Sequence, residues 1–209
     1  IEMFHTAHNQ NETRAPIRAM AMVDLDGAKT MVAAYTCTPL VTIPVDALDD
    51  GAHVVVNTVA ELGYGNRPLE VLSLTAYNME RQPEQFVLVI NREMSANLIK
   101  LEDLAAAPAL TEPFAALGDT LGVDGTHIPF AGILQADDQD AQFILTLRRN
   151  IDTGDVDLIS SMKGVYFRLS DFVSEYTFPD YTYSENQAGT QMFHNMMKPL
   201  EGYPELVIE

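Results

Sequence analysis

The sequence predicts an all-β fold built from about three copies of a four-stranded antiparallel module. Three observations lead there. A Pro-led apolar segment recurs, as Pro16-Ile17-Arg18-Ala19-Met20, Pro68-Leu69-Glu70-Val71-Leu72 and Pro129-Phe130-Ala131-Gly132-Ile133. A second apolar run follows each, at 31–35, at Gln85-Phe86-Val87-Leu88-Val89-Ile90 and at Gln142-Phe143-Ile144-Leu145. Each unit then reaches an aspartate, Asp46, Asp103 or Asp171. Counted from Thr30, Gln85 and Gln142, the distances to that aspartate are 16, 18 and 29 residues. The excess in the third unit falls at 150–164, around the turn signal Asp152-Thr153-Gly154-Asp155, and reads as a longer hairpin.

Residues 1–15 form an N-terminal segment, with a short strand at 3–7. The first unit spans 16–66. Residues 17–25 read as a strand, and Asp24-Leu25-Asp26-Gly27 is hairpin chemistry, with Asp capping its own turn and Gly taking positive φ. Residues 30–37 are the return strand, nearly all apolar, as expected when both faces are covered. Cys37, the one cysteine, reads there as a small buried hydrophobe and excludes an intrachain disulfide. Residues 40–45 are a third strand, with Pro44 marking a sheet edge or bulge. After a turn at 46–51, the β-branched stretch 53–59 is a fourth.

The second unit, 67–126, places strands at 69–77, 85–91 and 96–101. A looser stretch follows at 105–113, with a weak fourth strand, a partly helical 111–118 and a Gly/Asp loop at 118–126. The third, 127–186, places strands at 128–135, 141–149, 156–161 and 164–169, with a Tyr-rich closing strand at 176–186. A C-terminal segment, 187–209, carries Lys198-Pro199-Leu200-Glu201. That echoes Arg67-Pro68-Leu69-Glu70 and reads as the start of a further unit.

Twelve Lys and Arg against 30 Asp and Glu leave a formal charge of −18. Such a surface repels phosphate backbones and anionic headgroups, so nucleic acid is not an expected partner. Plain solubility explains it as well as a cationic partner does. No apolar run reaches the roughly 18 residues of a membrane span. The chain begins at Ile1, which leads us to expect an upstream signal peptide, pro-segment or further repeats.

A four-stranded unit recurring every 50–60 residues must bury its faces against copies of itself. Blades packed radially around a channel do this. The Pro-led first strand, the Gln-Phe-Val-Leu second strand and the Asp-ended third strand resemble β-propeller proteins over about residues 16–175. They are similar to secreted bacterial propellers of the quinoprotein-like and lactonase-like kind. The Trp-Asp dipeptide of another propeller class is absent from this tryptophan-free chain. The resemblance implies a periplasmic or secreted location. Propellers have four to eight blades, so it also implies that missing blades or another protein subunit complete the ring. An ordinary sandwich or barrel is the competing architecture.

His5-Thr6-Ala7-His8, with Glu12 four residues on, offers two imidazoles and a carboxylate, a set that suits Zn, Cu or Fe. On a strand the spacing of three puts His5 and His8 on opposite faces; in a turn they converge. His127 precedes the third unit, where propeller loops reach a face; His53 and His194 are scattered. Asp24/Asp26, Asp137/Asp138/Asp140 and Asp152/Asp155/Asp157 are oxygen-rich enough for Ca²⁺, yet each sits in an expected turn, where Asp is favoured anyway. Neither a c-type haem motif nor G-x-S-x-G, a Walker A loop or H-E-x-x-H occurs. Two functions remain. One is a binding or assembly subunit of a larger protein or complex. The other is a propeller enzyme, a quinoprotein-like oxidoreductase or metal-dependent lactonase-like hydrolase, with its site at the channel mouth. For a metal in that site, His5, His8, Glu12 and His127 are the ligands to suspect.

Overall fold

The structure, a computed structural model, describes residues 1–63, 67–91, 95–113, 120–128, 130, 132–149 and 153–167. The described chain is all-β: four antiparallel sheets, none closed, with two short α-helices. A hairpin comes first, β1 (Met3–His5) with β2 (Gln10–Glu12). The first large sheet runs β3 (Ile17–Leu25), β4 (Ala28–Tyr35), β5 (Pro39–Pro44) and β6 (Asn57–Glu61). The second runs β7 (Pro68–Tyr77), β8 (Pro83–Asn91) and β9 (Ala96–Lys100), followed by α1 (Leu101–Ala106). Two short strands, β10 (Leu121–Gly122) and β11 (Thr126–Ile128), come next. The third sheet is β12 (Ile133–Asp138), β13 (Phe143–Arg149) and β14 (Val156–Met162), followed by α2 (Gly164–Phe167).

The meander order holds within each sheet, and the Asp24–Gly27 hairpin is built as expected. Asp24 Oδ1 accepts the Gly27 amide at 2.6 Å, while Asp26 and Gly27 take φ of 53° and 84°. The sheets differ from the repeat reading at their edges. β10 joins the first sheet as a fifth strand beside β6, and β11 completes the second sheet beside β9. The segment read as a Gly/Asp loop thus crosses from one sheet edge to the next. Its Gly122 explains part of this: at φ 83° any Cβ would lie 2.1 Å from the Val59 carbonyl oxygen.

The strand expected at 164–169 is instead a helical turn at Gly164–Phe167, with Phe167 buried and edge-on to Phe130 at 5.4 Å. A short helix not expected from the sequence forms at Leu101–Ala106, while most of the stretch 111–118 read as partly helical lies outside the described residues. Glu102 and Asp103 favour its N-terminus, Ala105 and Ala106 are good helix formers, and Ala107 is held extended before Pro108. The repeated aspartates Asp46 and Asp103 therefore mark a short helical turn after the third strand, a 3₁₀ turn at Val45–Ala47 in the first unit. Cys37 is exposed rather than buried, because β4 ends at Tyr35. Asp152, the Tyr-rich strand at 176–186, Asp171 and the 198–201 echo lie outside the described residues.

The sheets stack in series through three apolar clusters. Strand alternation decides which face goes where. In β8, Phe86, Leu88 and Ile90 pack toward the third sheet, against Ile133 and Ile144. Val87 and Val89 face the first sheet, against Val32, Leu40 and Val59. The second sheet is therefore covered on both faces, as a continuous apolar strand requires. On the first sheet's outer face, Ala33, Tyr35, Val41 and Ile43 pack with Met3 of the N-terminal hairpin and with Val54 and Val56. Each Leu, Val or Ile so buried contributes about 1.5–3 kcal/mol relative to exposure. The first strands also adjoin: β3 packs on β7, and β7 on β12. No described helix is long and apolar enough to cross a membrane.

Candidate metal centre

The hairpin β1–β2 is tied to the first sheet by backbone bonds. The Glu2 amide donates to Val54 O at 2.7 Å, and the Val56 amide to Glu2 O at 2.9 Å. Met3 and His5 point inward and are each 1% exposed. The register pairs Met3 with Glu12, which brings Glu12 to that same face.

Between the strands the chain turns tightly. The His8 amide donates to His5 O at 3.1 Å and the Asn9 amide to Thr6 O at 3.2 Å, and Asn9 takes the left-handed φ of 50° that Asn tolerates. His5 and His8 therefore sit in a turn rather than along a strand, and their rings converge, with centroids 3.9 Å apart.

His8 Nδ1 lies 2.5 Å from Glu12 Oε1, and His5 Nδ1 lies 3.3 Å from the same oxygen. One ligand atom from each of the three residues falls within 4.8 Å of the other two. His5 Nε2 meets Thr38 Oγ1 at 3.2 Å. With the proton on Nε2, the imidazole donates to Thr38 and keeps its Nδ1 lone pair toward Glu12. That nitrogen is buried and has no hydrogen-bond partner. A hydrogen bond on the far nitrogen is the usual support of a metal-ligating histidine. Tetrahedral bonds of 2.0–2.1 Å space ligands about 3.3 Å apart, which is the His5–Glu12 separation; the His8–Glu12 pair would open slightly.

Desolvation by itself would raise the Glu12 carboxyl. Hydrogen bonds from His8 and Gln10, with the adjacent His5 imidazole, outweigh it and hold the pKa below the ordinary glutamate value. The carboxylate form that a cation needs is therefore favoured. Behind the turn, Glu61 is 1% exposed, and its Oε1 accepts the Thr6 amide at 2.9 Å. Cys37 adjoins Thr38. Its thiol is raised by desolvation despite the residue's exposure, and the Glu61 and Glu12 carboxylates add to the shift.

His127 lies elsewhere, on β11, with Nδ1 3.1 Å from Ser95 Oγ. His53 is at the surface, paired with Glu2 at 2.9 Å. The acidic turns cap their own backbones: Asp137 Oδ1 accepts the Asp138 amide, and Asp140 Oδ1 accepts Gln142 and Phe143. Among the described residues, the group that gathers three metal-ligating side chains is His5, His8 and Glu12. Thr38 and Glu61 escaped the sequence reading. They stand 33 and 55 residues from their partners, and no local pattern marks them.

No protein-family model matches the chain, and no curated protein or solved structure matches it either.

Proposed function

We propose that the protein is a transition-metal-binding module made of stacked antiparallel sheets, serving as a subunit or segment of a larger propeller-like assembly outside the cytoplasm. The observation that carries the metal reading is the buried Nδ1 of His5, without a hydrogen-bond partner and 3.3 Å from Glu12 Oε1. An orphaned buried nitrogen is costly; a cation bound to it removes the cost. Two imidazoles and one carboxylate favour Zn²⁺ or a neighbouring divalent transition metal over Ca²⁺. In support of the propeller reading, the sheets stack face to face, and β3, β7 and β12 adjoin in sequence.

A second reading has its own support. The His8 side chain is 52% exposed, so solvent reaches the site. Three protein ligands with an open position are the pattern of a catalytic rather than a structural zinc site, in which bound water ionises near neutral pH. This is the metal-dependent hydrolase alternative.

The test is titration of the metal-free full chain with Zn²⁺ and Co²⁺, by calorimetry and visible spectroscopy. One equivalent should bind, and His5→Ala, His8→Ala and Glu12→Gln should each weaken binding by tenfold or more. Absence of stoichiometric binding would overturn the proposal. Hydrolysis of a lactone or ester that requires the metal and is lost in Glu12→Gln would favour the enzyme reading.

A further inference from the structure

The outer face of the first sheet carries a second group of metal-binding atoms, of a different chemistry from the histidines. Among the described strands, β3 lies at one edge of that sheet, beside β4. Met20 and Met22 stand two residues apart on β3 and so share a face. The register sets Met31 of β4 directly opposite Met22, and buried Ala33 opposite Met20. The three methionines therefore occupy one face of one two-stranded ladder. Met22 and Met31 are a cross-strand pair, which places their Cβ atoms about 4.5–5.5 Å apart. Met20 is the diagonal neighbour of Met31, about 7–8 Å away and within reach of a long side chain.

Packing does not account for the β3 pair. Met20 is 57% exposed and Met22 51%. The same strand turns Ala19, Ala21 and Val23 to the core between the first and second sheets. A solvent-facing strand position is ordinarily polar, and an apolar side chain left in water there gains little from burial. Met31 differs, because it packs on the apolar cluster of Met3, Ala33, Tyr35 and Ile43. One thioether is thus held against an apolar floor, and two long, flexible ones are free to fold over it. What separates Met from Leu at such positions is the sulfur. It is a soft, uncharged donor, suited to Cu⁺ rather than to the hard cations that carboxylates hold.

We propose that Met20, Met22 and Met31 form a three-thioether site for a soft monovalent ion, Cu⁺, with Ag⁺ as its redox-inert equivalent. Three neutral ligands leave the ion its single positive charge, which a chain of formal charge −18 tolerates at its surface. The donors differ from those of His5, His8 and Glu12, so the two sites stand or fall separately.

The experiment titrates the full chain, carbon-13 labelled at the methionine methyl groups, with Ag⁺ and, under anaerobic ascorbate, with Cu⁺. Cys37→Ser supplies the background, because an exposed thiol also takes soft ions. The methyl signals of Met20, Met22 and Met31 should shift together and saturate. Met79 and Met162, no less exposed but outside the group, should stay unmoved at the same concentrations. Leucine keeps volume and apolarity, so Met22→Leu should weaken binding at least tenfold with the fold intact. Met20→Leu should weaken it severalfold and serves where Met22→Leu disturbs the strand pair. Zn²⁺ should leave the three methyls in place. No saturable shift at these methyls would overturn the proposal. So would an equal response of Met79 and Met162, equal shifts with Zn²⁺, or an affinity unchanged in either variant.

Discussion

The Nζ of Lys163, a side chain 1% exposed, donates to the carbonyl of Thr75 at 2.7 Å, 88 residues earlier in the chain. The same ammonium pairs with Asp138, which is 28% exposed. One buried cation thus joins β7 of the second sheet to the end of β12 and the start of α2. Removing it orphans a carbonyl and a carboxylate together. Lys163→Ala should cost about 3 kcal/mol, the lower end for breaking a buried pair, because Asp138 keeps some water. Asp138→Asn, which retains an acceptor, should cost less. Urea unfolding of both variants measures this, and equal losses would contradict the assignment.

Glu70 makes another polar tie between these sheets, its Oε2 accepting the Ala136 amide at 2.6 Å. Burial raises its pKa; the Ala136 amide lowers it and Asp137 raises it again. The carboxylate is thus disfavoured in the fold although the acceptor is needed. Glu70→Gln should leave stability at pH 7 equal or higher, whereas Glu70→Ala should lose about 1 kcal/mol. Thermal melts at pH 7 separate the two.

These ties explain what the sequence displayed and what it concealed. Strand order within each sheet was legible because alternation is local: Phe86, Leu88 and Ile90 on one face and Val87 and Val89 on the other already state that both faces are covered. Edge pairing was not legible. β10 and β11 have two and three residues, too few for a period, and their partners are chosen by tertiary packing. The same holds for the site. His5, His8 and Glu12 announce themselves by spacing, but the sequence left strand and turn open. Asn9, with its left-handed backbone, settles that choice. Thr38, Glu61 and Lys163 act across long loops and carry no local signature.

At Gly122 one added methyl does harm out of proportion to its size. A Cβ there would meet the Val59 carbonyl oxygen at 2.1 Å, and φ is already 83°. Gly122→Ala combines left-handed strain of about 1–2 kcal/mol with a backbone clash that only separation of β10 from β6 relieves. A loss above about 2 kcal/mol is expected, with amide exchange of Leu121 and Gly122 accelerated. Gly154→Ala, also at positive φ but with open space around it, should show the strain alone.

His127 gives a pH dependence of defined sign. Its pKa is lowered in the fold, so between that value and the ordinary histidine pKa of about 6.5 the unfolded chain binds more protons. The stability it contributes is complete above that ordinary value and falls as pH drops through the window toward the folded value. His127→Gln should flatten this part of the stability–pH curve, measured by chemical unfolding from pH 7.5 to 5, while acting little above pH 7.5. An unchanged slope would mean that another group titrates there.

Glu12 produces a second, more acidic window. Its folded pKa is depressed, so its contribution is present above the ordinary glutamate value of about 4.3 and is lost as pH falls through the folded value. A bound divalent metal adds to this, because it stabilises only the form with Glu12 ionised and both histidines unprotonated. Stability gained from Zn²⁺ should therefore fall as pH drops from 7.5 and be gone once Glu12 is protonated. At 100 times the dissociation constant and pH 7.5, the gain should be about 2.7 kcal/mol. In Glu12→Gln the metal-free protein should lose the acidic window while the zinc-dependent gain shrinks at every pH. Thermal melts with and without Zn²⁺, from pH 4 to 7.5, decide it. A zinc-dependent shift of equal size in wild type and Glu12→Gln would place the metal at some other group of side chains.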